Sequence, residues 1–172
     1  LTELDLDAMI YPTPHGGRRY RPKVAKLGGK QQFPFLVDPT SGESMYESAD
    51  IIDYLYQRYG GRAAPARLLR LLDVSSSVIA GIPRVRAGSH ARPSKAPKLP
   101  LELFSFDSSP YSRRVRELAT LFPDLPVAGR NRTELLARAG KVQVPYLVDP
   151  NTGTAMFESA AIREYLLDTY AR

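Results

Sequence analysis

The chain reads as an α/β protein of two tandem modules with element order βαβαββα, the first module lacking its opening strand. Three observations predict this. Residues 29–59, GKQQFPFLVDPTSGESMYESADIIDYLYQRY, return without a gap at 140–170 as GKVQVPYLVDPNTGTAMFESAAIREYLLDTY, with 17 of 31 positions identical. Internal similarity at a fixed offset indicates two copies of one unit. Upstream of the second copy, residues 101–121 read as strand, Ser-Pro turn and helix, and residues 101–117 have no counterpart before the first copy. The expected organisation is a module over 1–61, a basic Pro-containing connector over 62–98 and a module over 99–172.

Each element of the second module has a local cause. Leu101, Leu103, Phe104 and Phe106 dominate a run that suits a strand buried on both faces. Ser108-Ser109-Pro110 supplies turn and cap chemistry, and Val115, Leu118, Ala119 and Leu121 follow at helical spacing. A Pro-broken stretch over 122–127 precedes a short helix over 133–139, which Gly140 ends in a C-cap role. Residues 144–150 form an apolar strand with Pro145 near its start, and Asn151-Thr152-Gly153 turns into a second strand over 155–157. Glu158-Ser159 opens the last helix, which buries Ile162, Tyr165, Leu166 and Tyr170. In the first copy the strands fall at 33–39 and 44–46, Glu47-Ser48 opens the helix, and Ile51, Tyr54, Leu55 and Tyr59 are its expected core.

Composition narrows the chemistry. The 172 residues contain no cysteine, which excludes disulfides, thiolate catalysis and thiolate metal ligands within them. Only His15 and His90 carry imidazole, and no metal site is expected. No apolar run approaches the roughly 20 residues of a membrane-spanning helix. The net charge of +6 is concentrated in the connector: eight basic residues against Asp73 give 62–98 a charge of +7, leaving the two modules at −1. Nucleic-acid binding by the modules is therefore not expected.

Val144-Pro145-Tyr146-Leu147, with Glu158-Ser159-Ala160-Ala161-Ile162 following, resembles the thioredoxin-like N-terminal domain of glutathione S-transferases. Phe33-Pro34-Phe35-Leu36 with Glu47-Ser48-Ala49-Asp50-Ile51 resembles it again. The tandem arrangement is similar to proteins of plants, algae and cyanobacteria that carry two such domains, which implies a chloroplast location. The resemblance implies a cis proline at Pro34 and Pro145. It further implies that Phe33 and Val144 offer backbone groups to the cysteinyl part of glutathione, and that Glu47-Ser48 and Glu158-Ser159 hold its γ-glutamyl end. The exposed amides of a helix start suit such a carboxylate.

Two departures bear on activity. Ser109-Pro110-Tyr111-Ser112 matches the place where redox members have Cys-Pro-Tyr-Cys, so Ser109 and Ser112 are the candidate catalytic positions and dithiol chemistry is excluded there. Two readings of Ser109 stay open: a hydroxyl that donates to a bound thiolate, and a helix cap. No counterpart of the helical domain that builds the electrophile site in transferases is expected, since only the 37 residues of the connector follow the first module. The protein is expected to extend upstream by about the length of the missing strand and turn.

Two functions follow from the resemblance. One is a glutathione-related binding or thiol-redox protein, acting if catalytic as a glutathione-dependent thiol transferase or reductase, with glutathione or a thiol substrate as partner and no metal. The other is a non-enzymatic scaffold or accessory subunit of a larger chloroplast assembly. The connector, with Leu68, Leu69, Leu71, Leu72, Val74 and Val78 near helical spacing beside Arg67 and Arg70, is read as a helix packed on the modules, a dock for an acidic protein surface, or a peripheral contact with anionic lipid. The cluster Arg113, Arg114 and Arg116 and the run Arg18, Arg19 and Arg21 are read as solvated surface.

Overall fold

Seven strands and five helices, in chain order, make up the regular structure described by a computed structural model covering residues 1, 4, 6–64, 91–106, 109–130 and 134–172. They are β1 (Ala8–Ile10), α1 (Arg21–Gly28), β2 (Leu36–Val37), β3 (Ser44–Met45), α2 (Ser48–Tyr59), β4 (Leu101–Phe104), α3 (Pro110–Leu121), β5 (Val127–Arg130), α4 (Leu135–Ala139), β6 (Tyr146–Asp149), β7 (Thr154–Met156) and α5 (Ser159–Tyr170). The chain divides into two compact units, Leu1–Tyr20 with Gly88–Arg172, and Arg21–Ala87.

The first unit realises the thioredoxin-like order in full. From β4 to α5 it runs βαβαββα, and its sheet has the strand order β1-β5-β4-β6-β7. β4 is parallel to β5 and antiparallel to β6, and β6 pairs antiparallel with β7. Leu101, Leu103 and Phe104 of the central strand are buried, as a strand covered on both faces requires. One apolar cluster joins Leu101 and Leu103 to Val115 and Leu118 of α3 and to Ile162 and Leu166 of α5. A second, on Phe104, Leu135 and Tyr146, lies beneath α4. Each such side chain, once buried, contributes about 1.5–3 kcal/mol, so the two clusters pin both helical layers to the sheet.

The fifth strand was not expected there. β1 comes from the stretch assigned by the repeat to module 1–61, yet Ala8, Met9 and Ile10 pair antiparallel with Gly129, Ala128 and Val127 at the outer edge of β5. Arg130 ties the two strands together by its ion pair with Asp7 at 3.0 Å. The end of the expected connector also lies along this unit. Ser94 bridges to Ala171, Lys95 N–H donates to Tyr170 O at 2.8 Å, and Leu99 exchanges two hydrogen bonds with the Asn151 side chain.

In the unit Arg21–Ala87 the described elements are α1, the hairpin β2–β3 and α2, with Leu36 opposite Met45 and Val37 opposite Ser44. This is the repeated part of the module without an opening strand. Of the apolar residues expected in the core of α2, Leu55 is buried, Ile51 and Tyr54 are half-buried, and Tyr59 is 40% exposed. Tyr56, unassigned from sequence, is buried in its place. The apolar run 68–78 on which the connector readings rest lies outside the described residues, as does Ser108 of the predicted turn.

Candidate functional site

The two copies build the same surface from the same residue types. In each, the X-Pro bond at the start of the inner strand is cis, Phe33–Pro34 in one and Val144–Pro145 in the other. In each, the strand that follows turns back through a Gly with φ near 75°, Gly42 at 78° and Gly153 at 73°, the left-handed conformation a short hairpin needs. The return strand then delivers an aromatic residue, a Glu and a Ser in succession to a helix start. Phe157 lies 4.4 Å from the Tyr146 ring and Tyr46 lies 4.5 Å from Phe35, so cis-proline strand and helix start meet at one end of their own unit.

Glu47 and Glu158 hold an uncommon backbone. Their φ, ψ values are 63°, 116° and 67°, 114°, and they are the only non-glycine residues at positive φ among the described residues. Such a conformation costs roughly 1–3 kcal/mol and clusters at ligand sites. Both residues are the N-cap of a helix, and neither side chain accepts a hydrogen bond from the helix's first amides. Ser48 and Ser159 are the first helical residues, where amides and the helix dipole favour an anion.

Two glutamines that sequence reasoning missed join these elements. Gln143 Nε2 donates to Glu158 Oε1 at 2.7 Å, and Gln32 Nε2 makes the same bond to Glu47 Oε1. Lys141 sits 4.1 Å from the Phe157 ring centre and Lys30 sits 4.9 Å from that of Tyr46, placing a cation beside each helix start. Phe33 carries the Arg21 guanidinium over its ring at 4.7 Å, a contact specific to the first copy.

The candidate catalytic serines are used by the backbone. Ser109 is the N-cap of α3 and its hydroxyl accepts from Ser112 N–H at 3.2 Å, while Pro110 occupies the first turn. Ser112 is fully buried, and its hydroxyl accepts from Phe106 N–H at 3.4 Å. Phe104 pairs with Tyr146, so α3 leaves the sheet at the end where β6 enters it. Ser109 therefore belongs to the same end as Val144, with its oxygen accepting the cap bond, which does not use the hydroxyl proton.

Behind the hairpin each unit has a buried aspartate that the sequence reading also missed. Asp149 accepts from Tyr165 at 2.6 Å, from Tyr170 at 2.5 Å, and from Asn151 N and Nδ2 at 2.8 Å each. Burial pushes this carboxyl up, but the bonds from Tyr165, Tyr170 and Asn151 outweigh it and the group stays below its ordinary value. Burial and the neighbouring carboxylate raise Tyr170 well above an ordinary phenol. In the other unit Tyr54 and Tyr59 donate to Asp38 at 2.6 and 2.5 Å and hold it far below the usual carboxylate range. Glu102 is likewise held down, first by its hydrogen bond with Arg130 and then by Arg138. The signal for Gln32, Gln143, Asp38 and Asp149 was polar identity between the copies, which marks a partner rather than a packing position.

Among the described residues no group of three or more His, Cys, Asp or Glu side chains is placed to hold a metal ion, and no helix is long and apolar enough to cross a membrane. The family model described as "Glutathione S-transferase, N-terminal domain" matches residues 1–63 and 103–172. No curated protein and no solved structure matches the chain.

Proposed function

Because the chain belongs to the glutathione S-transferase N-terminal domain family, we propose that it is a glutathione-binding protein of thiol metabolism with one recognition surface in each unit. The γ-glutamyl end carries an α-carboxylate and an α-ammonium. Ser48 and Ser159, with the helix-start amides, take the carboxylate, and Glu47 and Glu158 take the ammonium. Phe33 and Val144, before the cis prolines, present backbone groups to the cysteinyl part. The observation that carries this reading is the matching positive φ of Glu47 and Glu158 beside an uncapped helix start, a strain kept in both copies.

A second reading, an accessory subunit that binds partners without thiol chemistry, is favoured by the engagement of Ser109 and Ser112 as cap and buried acceptor. Within either reading the chloroplast is the site of action, and the basic residues of 62–98 meet an acidic protein surface or anionic lipid.

Calorimetry of the whole chain with glutathione tests the first reading. Binding at both surfaces is expected, lost from one on Glu158→Ala with Ser159→Ala and from the other on Glu47→Ala with Ser48→Ala. An unaltered isotherm in the fourfold variant would refute the assignment. Absence of binding by the natural sequence, with co-purification in a large complex, would establish the second reading. Imaging a fluorescent fusion of the full precursor tests location: signal outside plastids would overturn it.

A further inference from the structure

We propose that Gln143 and Gln32 are positioning residues, each holding the carboxylate of the helix-opening glutamate so that its second oxygen receives the α-ammonium of the ligand. This rests on the glutathione reading above and adds to it the origin of selectivity for the free amino group.

The geometry has three parts. First, each bond links residues fifteen apart, Gln143 to Glu158 and Gln32 to Glu47, and so connects the loop before the cis proline to the helix start. Second, in each bond the acceptor is Oε1 alone, which leaves Oε2 of the same carboxylate to a ligand. Third, the flanking positions differ between the copies, Gln31 against Val142 and Phe33 against Val144, while the glutamine is the same.

The chemistry of the amide explains the choice. A glutamate side chain on an exposed helix start has several rotamers, and fixing it costs entropy at the moment of binding. A neutral amide donor fixes it beforehand without cancelling the negative charge that an ammonium needs. Lysine in the same place would neutralise it. The carboxylates of Glu47 and Glu158 are exposed, where water competes for the bond and its share of folding stability is small, so the recurrence of the bond is better explained by orientation.

The test uses the whole chain, glutathione, and the analogue lacking only the α-amino group, glutaryl-cysteinyl-glycine. The natural sequence is expected to prefer glutathione. In Gln32→Leu/Gln143→Leu, glutathione affinity falls about tenfold, the scale of one hydrogen bond to a charged group. Affinity for the analogue and the thermal midpoint stay unchanged, so discrimination shrinks by the same factor. In the Glu47→Ala/Glu158→Ala background the glutamine replacements have no further effect, as a double-mutant cycle requires of residues acting through one another. Full discrimination in the leucine variant would overturn the proposal while leaving glutathione binding intact, as would a glutamine effect that persists without the glutamates, which would mean direct contact. Failure of the natural sequence to bind glutathione would overturn the function and this inference together.

Discussion

Gly28 and Tyr46 are coupled, and substituting either alone should be costly to the unit Arg21–Ala87. A Cβ at Gly28 would stand 2.6 Å from Tyr46 Cζ and 2.9 Å from Phe35 Cε2, with the Tyr46 hydroxyl nearer still. That hydroxyl is held by its hydrogen bond to Lys30 O at 2.8 Å, and the ring by Phe35. The equivalent positions in the other unit are Ala139 and Phe157, both packed against the Phe104–Leu135–Tyr146 cluster. The methyl of one copy thus corresponds to the hydroxyl of the other. Gly28→Ala gains about 1 kcal/mol of helix preference and loses roughly 1–3 kcal/mol to overpacking, for a net loss of ~1 kcal/mol. Tyr46→Phe loses the Lys30 bond, ~1 kcal/mol. The double variant, with the Ala/Phe pair of the other copy, keeps the helix gain without the clash and should return close to the natural stability, a coupling of about 1–3 kcal/mol. Native-state hydrogen exchange, read on peptides from residues 21–59, measures each variant in this unit alone. Strict additivity, or stabilisation by Gly28→Ala on its own, would refute the reasoning.

Three further outcomes are expected. Tyr170→Phe removes one of two phenols from the buried Asp149 and should destabilise the unit containing it by about 1.5–3 kcal/mol, read by exchange of peptides from 99–172; Tyr59→Phe should cost less, because Tyr59 is 40% exposed. Since Asp149 is held low and Tyr170 high, their contribution should be complete between about pH 4 and pH 10. It drains away as pH falls through the folded value of Asp149 and again as pH climbs through that of Tyr170, and Asp149→Asn with Tyr170→Phe should flatten both limbs of a urea-midpoint profile. Glu158→Gly should relieve a positive φ at a cost-free residue, leaving stability unchanged or higher by about 1 kcal/mol while glutathione binding at that surface is lost; a loss of stability in urea denaturation would contradict the strain assigned to Glu158.

The repeat made much of the fold legible because each element had its own local cause. Pro110 behind Ser109 marked the start of α3, Gly140 its place after α4, and Asn151-Thr152-Gly153 the hairpin. Three-residue strand ends were less legible: β4 stops at Phe104, not Phe106, because strand ends depend on the partner's register, here Phe104 against Tyr146. Tyr59 and Tyr170 show the limit of an apolar pattern. Both read as core, yet each turns its hydroxyl to an aspartate, and only Tyr170 is buried. In each case the carboxylate partner lies twenty-one residues away along the chain, a separation that helical periodicity cannot convey. At the candidate site the sequence pointed to Pro34, Pro145, Glu47 and Glu158 through resemblance, whereas the glutamine bonds needed coordinates, because identity between the copies marks Gln32 and Gln143 without naming a partner fifteen residues away.

The pairing of β1 with β5 has a consequence for biosynthesis. The unit Arg21–Ala87 interrupts the chain of the other, so Ala8 leaves the ribosome long before Gly129 exists to receive it. Closing so long a loop is slow and entropically costly, and until it closes the N-terminal strand has an exposed edge, with Met9 and Ile10 at hand for any neighbouring chain. Expression of residues 99–172 alone would deprive the sheet of its outermost strand and Arg130 of Asp7, and the boundary to cut at for a soluble fragment is therefore not the one the repeat marks.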